Sequence, residues 1–141
     1  MTRKISRQVF IRGALGTLPP AAESIVAAMS AWPRDAASAS AVIESLSGAM
    51  SETESGDTAF PWRRQAACVQ WYTETPSPAT AETANEWLVS AHSAVHAHSV
   101  GGYVNYAEPN TPASRYFGDN LTRLGAIRQK YDPDGLMYSG M

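Results

Sequence analysis

The chain has 141 residues, of which 44% are hydrophobic and 17% are charged, and its formal net charge is −2. A chain of this length fits one domain that buries roughly 68–70% of its unfolded surface. With a slightly negative charge and no run of Lys or Arg, electrostatic binding to nucleic acid or to an anionic membrane is excluded. The charged fraction is below the roughly 25% of typical soluble domains, which indicates surface covered by a partner or another domain.

The single cysteine, Cys68, excludes a disulfide within the chain and fits a reducing compartment. Ser6, Arg7 and Phe10 resemble part of a twin-arginine export signal, but Gln8 replaces the second arginine. No apolar run approaches the roughly 18 residues of a membrane-spanning helix. We therefore expect a cytoplasmic protein with no membrane partner.

The first half of the chain predicts two short strands around one helix. Residues 8–12 alternate with a period of two, which predicts a strand. Residues 19–32 begin with two prolines and carry apolar side chains at helical spacing, which predicts a helix. Residues 41–43 predict a second strand, and the polar residues 51–57 predict a connection.

The second half predicts two further strands and two helices. Residues 66–73, "AACVQWYT", predict the clearest strand, and a helix follows the proline-rich breaker and ends near residue 98. Residues 103–107 return to a period of two and predict a fourth strand. The last helix is expected from residue 119 or 120 to the residues before Pro133, with Leu121, Leu124 and Ile127 buried. This order predicts an α+β fold in which helices cover one face of a mixed or antiparallel sheet.

Most candidate chemical motifs are weak. His92 and His96 share a helical face and could bind zinc as a pair, but no third ligand stands at a matching spacing, so no metal site is predicted. The glycines of "RGALG" form neither a Walker loop nor a dinucleotide fingerprint. Cys68 has no histidine near it in sequence and is better explained as a small core residue.

The strand "ACVQWY" is more informative. A period of two directs Cys68, Gln70 and Tyr72 to one side and Val69 and Trp71 to the other, under the helices. Polar groups gathered on one sheet face need hydrogen-bond partners. That face therefore meets solvent or lines a cavity, and spacing alone does not decide between the two.

The stretch "YVNYAEPN…YFGDNLTRLGAIRQKYDPDGL" resembles the C-terminal signature of the berberine bridge enzyme-like FAD-linked oxidases. Upstream, "GAMSETESGDTAFPWRR" and "VQWY" resemble further stretches of the same family. The chain departs from the family pattern at Trp62, where histidine is usual, and at Glu108, where aspartate is frequent. The family's N-terminal FAD-binding domain, with its glycine-rich pyrophosphate loop, has no counterpart in the sequence.

The resemblance implies one domain in two parts: residues 1–98 are similar to part of the substrate domain, and residues 99–141 to the C-terminal segment that closes against the flavin domain. It implies that Tyr103 is the base that takes the proton of a substrate hydroxyl, and that Gln70 lines the substrate cavity. Asn105 and Tyr106 match the motif near the isoalloxazine ring. FAD is the implied cofactor, although this chain alone is not expected to hold it.

Three functions follow from these expectations. The first is a C-terminal part or subunit of an FAD-linked oxidoreductase that oxidises a small-molecule alcohol or secondary metabolite, together with a partner chain that carries the FAD domain or as a homodimer. The second is a stand-alone derivative without redox chemistry, such as a cyclase in secondary metabolism. The third is a non-catalytic binding module. Because a fold does not determine a function, all three remain open at the level of sequence.

Overall fold

A computed structural model describes residues 3–13, 19–33, 38–75 and 77–137. The strands are β1 (Arg3–Ile11), β2 (Ser38–Ser45), β3 (Ala67–Thr75) and β4 (Ser99–Gly101). The helices are α1 (Pro19–Ser30), α2 (Ala49–Glu52), α3 (Pro78–Ala94), α4 (Ser114–Phe117) and α5 (Asn120–Tyr131), with 3₁₀ turns at His96–His98 and Val104–Tyr106. None of these helices is long and apolar enough to cross a membrane.

The four strands form one antiparallel sheet in the order β2-β3-β1-β4. The predicted α+β class with an antiparallel sheet is therefore confirmed. In the register between β1 and β3, Gln8 lies opposite Gln70 and Phe10 opposite Cys68, while Glu44 of β2 lies on the other side of Cys68. Directly paired residues of an antiparallel sheet point to the same face, so these five side chains share one side of the sheet.

The opposite side of the sheet carries the main core. Val69 and Trp71 are fully buried there against α1 and α3, as the period of two predicts. The ring of Trp87 in α3 meets the ring of Trp71 edge to face at 5.9 Å, a favoured aromatic geometry. The Trp87 indole N–H donates a hydrogen bond to the carbonyl oxygen of Ala28 at 2.9 Å, which ties α3 to α1.

The prediction of a strand at residues 103–107 is wrong. Strand β4 ends earlier, and Val104–Tyr106 forms a 3₁₀ turn. The cause is the end of pairing with β1: the Gly102 N–H donates instead to the carbonyl oxygen of Arg115 at 3.0 Å. The chain therefore leaves the sheet before Tyr103, and the alternating pattern that follows belongs to a turn in which Tyr103 and Val104 are half-buried and Asn105 and Tyr106 are exposed.

The predicted burial of the apolar side of α5 is also wrong, although the helix itself lies where it was predicted. Leu121 is 36% exposed and Ile127 is 42% exposed, and α5 contains no buried residue. Polar contacts at its beginning hold the helix instead. The Asn120 side chain donates to the carbonyl oxygens of Ser55 and Thr58, at 2.6 and 3.0 Å. Leu124 is half-buried, so the described residues cover the apolar side of α5 only in part.

Candidate functional site

A cavity of about 340 Å³ opens on the sheet face away from α1 and α3. Sites for small organic ligands typically have volumes of roughly 300–1,000 Å³. The lining residues come from the strands, from α2, from the loop before β3 and from the turn after β4: Gln8, Phe10, Glu44, Leu46, Met50, Phe60, Arg63, Cys68 and Tyr103. Of the three residues that the sequence placed on this sheet face, Cys68 lines the cavity, and Gln70 and Tyr72 do not.

Tyr103 stands in the wall of this cavity. Its ring meets the rings of Phe10 and Phe60 edge to face, with both centroid distances at 6.4 Å. The side-chain N–H of Asn105 donates a hydrogen bond to the Tyr103 hydroxyl oxygen at 2.9 Å. The exposed ring of Tyr106 lies 6.1 Å from that of Tyr103. Three of the predicted site residues therefore lie together in one cluster, and one of them, Tyr103, lines the cavity.

Gln70, the fourth predicted site residue, lies on the same sheet face but is not one of the lining residues. It is half-buried on β3, between Gln8 on β1 and Val42 on β2. Its position two residues from Cys68 places it beside the cavity rather than in its wall. Gln70 is therefore not part of the lining that contains Tyr103. Its partner across the sheet, Gln8, is a lining residue instead.

Arg63 is a lining residue that the sequence did not single out. Its guanidinium donates to Thr58 Oγ1 at 2.8 Å and to Met50 Sδ at 3.1 Å, and it lies 5.1 Å from the ring centroid of Phe60. These contacts hold a cation against the aromatic wall. In the sequence, Arg63 was marked only by its place in the "AFPWRR" stretch. Its position in the lining could not be predicted, because it depends on the path of a long loop.

Cys68 contributes an uncharged thiol to the cavity. Burial, and secondarily the nearby carboxylate of Glu44, raise the pKa of Cys68 to about 12. A thiol with this pKa is almost entirely protonated near neutral pH and is a poor nucleophile. The structure therefore supports the interpretation of Cys68 as a small apolar residue.

A buried polar cluster lies on the helix side of the sheet, around His92. An Arg115 N–H donates to Nε2 of His92 at 3.0 Å, and Nδ1 of the same ring is buried without a partner. Burial first, and then the positive charges of Arg115 and Arg7, lower the pKa of His92 to about 4. The Glu108 carboxylate lies 4.0 Å from Nε2 of His92 but forms an ion pair with Arg7. Its negative charge therefore does not offset the effect of burial and of the two arginines on the pKa, and His92 is neutral near neutral pH.

This environment argues against the histidine pair as a metal site. His92 faces arginines, and His96 lies beyond the end of α3 in a 3₁₀ turn rather than on the same helix. Within residues 3–13, 19–33, 38–75 and 77–137, no three His, Cys, Asp or Glu side chains stand together as metal ligands would.

Trp62 links the cavity to the beginning of the C-terminal segment. Its ring stacks on Phe10 with centroids 6.0 Å apart and planes inclined by 29°. On its other side the indole approaches Gly101 so closely that a Cβ atom there would lie 2.1 Å from a ring carbon. The indole therefore fills the space between the cavity wall and the main chain of β4.

Comparisons with known proteins agree with this architecture. Residues 102–139 match the family model described as "Berberine and berberine like". An uncharacterized FAD-linked oxidoreductase of Bacillus subtilis (strain 168), YgaK, is 26% identical over 96 residues, which are 66% of this chain and 21% of that protein. A carbohydrate oxidase of Microdochium nivale is 26% identical over 98 residues, or 63% of this chain and 20% of that protein.

Solved structures show the same fold. The oxidoreductase GilR, which catalyses the terminal step of gilvocarcin biosynthesis, superposes with a TM-score of 0.80 at 18% identity, over 99% of this chain and 32% of that chain. The berberine bridge enzyme-like protein 1 of Physcomitrella patens superposes with a TM-score of 0.79 at 20% identity, over 98% and 29%. The chain thus spans about a fifth of the length of the curated relatives and about a third of the solved ones. The resemblance seen in the sequence is confirmed: residues 102–139 match the berberine bridge enzyme-like family model, and the chain has the fold of the corresponding part of berberine bridge enzyme-like oxidases.

Proposed function

We propose that this chain forms part of the substrate site of an FAD-linked oxidoreductase that oxidises a small-molecule alcohol of secondary metabolism. The observation that carries this proposal is the position of Tyr103, in the wall of a ligand-sized cavity and bonded to Asn105. Residues 1–98 act as part of a substrate domain, and residues 99–141 as the segment that meets the flavin. Among the relatives, YgaK is named an FAD-linked oxidoreductase and the Microdochium nivale protein a carbohydrate oxidase, and these names support the proposal.

Tyr103 is the general base in this proposal. The Asn105 N–H holds the Tyr103 oxygen in the cavity wall, where in this proposal it takes, as a phenolate, the proton of a substrate alcohol. The edge-to-face contacts with Phe10 and Phe60 fix the ring and exclude water from one side of it. A bound flavin supplies the other half of the reaction by accepting hydride. Gln70, beside the cavity, positions the part of the substrate that extends along the sheet.

Only one end of FAD fits the described residues. Asn105 and Tyr106 are exposed next to Tyr103 and offer an amide and a flat ring to the edge of an isoalloxazine. A pyrophosphate needs free backbone N–H groups at a helix beginning. Helices α1 and α3 begin at prolines, and the acidic Asp119 precedes α5. The residues that cradle the pyrophosphate therefore belong to a segment outside the described chain or to a partner.

The exposed apolar side chains indicate where such a partner docks. Leu136 is 86% exposed, and Ile127, Tyr131 and Met137 add apolar surface along α5 and the residues after it. Large apolar side chains exposed close together in the sequence are a feature of interfaces. A partner that carries the FAD domain covers this surface, or a second copy of the chain does so in a homodimer.

The first test of the proposal uses flavin absorbance. The purified chain is mixed with FAD, passed through gel filtration and measured at the flavin bands, with light scattering for its mass. We expect a colourless peak for the chain alone, and flavin colour only in the complex that contains the partner. A yellow monomer with one flavin per chain would show a complete flavin site in this chain. It would contradict the proposal that a partner or another segment binds the pyrophosphate of FAD.

The second test uses the flavin-loaded complex purified from its native source. Tyr103→Phe should lower the rate of flavin reduction by an alcohol substrate roughly 10²–10⁴-fold, the usual contribution of a general base. Gln70→Ala should raise KM more than it lowers kcat. The matched control is Tyr72→Phe, which removes a hydroxyl that donates to Glu74 and does not line the cavity. Activity of Tyr103→Phe within about twofold of wild type would remove the base assignment.

If the chain is instead a cyclase or a binding module without redox chemistry, these experiments should give different results. In that case the cavity should still bind a ligand, but no complex that contains the chain should contain flavin. Tyr103→Phe should then change proton transfer in a cyclase or ligand affinity in a binding module. The flavin absorbance of the native complex therefore separates the redox function from the alternatives before any substrate is known.

A further inference from the structure

We propose that Tyr116 is a positioning residue, which holds the turn that carries Tyr103 and Asn105 beside the cavity. We call residues 103–107 the Tyr103 turn. This inference rests on the proposed function, since it takes Tyr103 as the base. Tyr116 is not one of the residues that line the cavity, and neither the family resemblance nor the comparisons give it a role. It acts through the main chain on either side of the turn.

The main chain of the Tyr103 turn has little support of its own. None of Val104–Tyr106 is buried, and the turn lies outside the sheet. Two hydrogen bonds lie within it: the Tyr106 N–H donates to the carbonyl oxygen of Tyr103 at 2.9 Å, and the Ala107 N–H donates to that of Val104 at 3.2 Å. Short turns with few buried contacts open easily. The place of Tyr103 therefore depends on how the two ends of the turn are held.

Tyr116 contacts both ends of the Tyr103 turn. Its side chain is 3% exposed, and its hydroxyl oxygen accepts the backbone N–H of Glu108, directly after the turn, at 2.6 Å. Its ring lies against Gly102, directly before the turn, where an added Cβ atom would be 3.1 Å from Cε1 of Tyr116. One buried side chain thus joins the residue that enters the turn to the residue that leaves it.

Further contacts attach these two ends to the rest of the fold. The carbonyl oxygen of Arg115, the neighbour of Tyr116 in α4, accepts the Gly102 N–H at 3.0 Å. The Arg115 side chain donates to Nε2 of His92 in α3 at 3.0 Å. The Glu108 carboxylate forms an ion pair with Arg7 of β1. The ends of the turn are therefore connected to α3 and to the sheet.

The Tyr116 hydroxyl is the part of this arrangement that one substitution removes cleanly. Tyr116→Phe keeps the ring against Gly102 and takes away the acceptor of the Glu108 N–H. A backbone N–H without a partner is costly in a partly buried place, so this end of the turn should move to reach water. Tyr103 should then spend less time in the position in which it accepts the Asn105 N–H.

The first measurement is amide hydrogen exchange by NMR on the full chain. In Tyr116→Phe, the amides of Tyr106 and Ala107 should exchange on the order of tenfold faster, the value of one hydrogen bond, although their own acceptors are unchanged. A role in global stability alone would speed the amides of β3 and leave these two unchanged, because a local opening does not require unfolding. Tyr72→Phe, which removes a hydroxyl bonded to Glu74, is the matched control and should not affect the turn.

A second variant covers the case in which Tyr116→Phe does not fold. Glu108→Gln keeps the N–H that donates to Tyr116 and removes the charge that pairs with Arg7. Because it weakens the same end of the turn, the amides of Tyr106 and Ala107 should again exchange faster than in wild type.

The second measurement is flavin reduction by the flavin-loaded complex. Tyr116→Phe should lower kcat by about tenfold and change KM by less than about twofold, because it misplaces a base without removing a contact to the substrate. The loss should be smaller than in Tyr103→Phe, which removes the base itself. Tyr72→Phe should retain the wild-type kcat.

The outcomes separate this inference from the proposed function. Unchanged exchange of the Tyr106 and Ala107 amides in both variants would overturn the role of Tyr116 in holding the turn and leave the assignment of Tyr103 untouched. Faster exchange with an unchanged kcat would show that the turn need not be held for the reaction, which would overturn the positioning role. The exchange measurement needs neither flavin nor turnover, so Tyr103→Phe still decides the redox proposal separately.

Discussion

The indole N–H of Trp62 donates a hydrogen bond to the carbonyl oxygen of Gly102 at 3.1 Å. This bond fastens the loop before β3 to the first residue after β4. Because the same indole stacks on Phe10 in the cavity wall, the conformation of the C-terminal segment and the shape of the cavity are coupled through one side chain. The usual histidine of the family is smaller and would leave part of this space unfilled.

Gly101→Ala is expected to lower the free energy of unfolding by about 1–3 kcal/mol, the typical cost of overpacking. The added Cβ atom would lie 2.1 Å from a Trp62 ring carbon and 2.7 Å from the carbonyl oxygen of Arg115, and main-chain atoms cannot move away easily. Urea unfolding followed by tryptophan fluorescence measures the change.

The matched control is Gly125→Ala in α5. No atom lies within 4 Å of a Cβ placed there, so alanine adds helix propensity without a clash. It should raise stability by roughly 0.5–1 kcal/mol. Equal destabilisation by both substitutions would contradict the close packing of Trp62 on Gly101.

Acid should destabilise the chain through His92. Its pKa of about 4 in the folded state is below the ordinary value of 6.5, so the unfolded chain takes up this proton first as the pH falls. The free energy of unfolding should therefore decrease between pH 6.5 and about 4, by on the order of 2–3 kcal/mol from this group. Urea titrations at a series of pH values give the slope.

The His92→Gln variant should lose this part of the pH dependence, because glutamine takes up no proton. His98→Gln is the matched control, at the end of the following 3₁₀ turn, and should leave the slope in place. A slope unchanged in His92→Gln would show that other groups produce the acid sensitivity.

Asp132 should hold the residues after α5. Its side chain is buried, and Oδ1 accepts the backbone N–H groups of Leu136 at 2.7 Å and Met137 at 3.2 Å. Asp132→Ala should raise the hydrogen-exchange rates of these two amides about tenfold or more, because each loses a charged acceptor. Asp132→Asn keeps an oxygen acceptor and should have a smaller effect. Unchanged exchange in Asp132→Ala would contradict this anchoring role.

The sequence was most informative where local pattern and tertiary environment agree. Strand β3 lies between two other strands, so its period of two correctly separated Val69 and Trp71 from Cys68 and Gln70. The alternating pattern at Tyr103 also predicted a strand, but this prediction was wrong. Strand β4 ends before it, because the Gly102 N–H donates a hydrogen bond to the carbonyl oxygen of Arg115. That switch depends on a contact between segments far apart in sequence.

The remaining failures have similar causes. The apolar spacing of α5 predicts a buried side, yet burial also requires a layer to pack against, and the described residues cover this side only in part. Gln8 and Arg63 enter the cavity only through the pairing of β1 with β3 and through the path of a long loop. Neither is a local property, so a single sequence could not identify these two residues as part of the lining.

The reactivity of the Cys68 thiol in the wild-type chain can be used to measure transient opening of the cavity. As the single cysteine, buried in the cavity and with a pKa of about 12, it should react with iodoacetamide only in molecules whose cavity has briefly opened to solvent. The modification rate then measures the population of open molecules, without an introduced label. A ligand bound in the cavity against Cys68 should slow alkylation in proportion to its occupancy. One reaction followed by mass spectrometry can therefore rank compounds for this cavity before any turnover is detected.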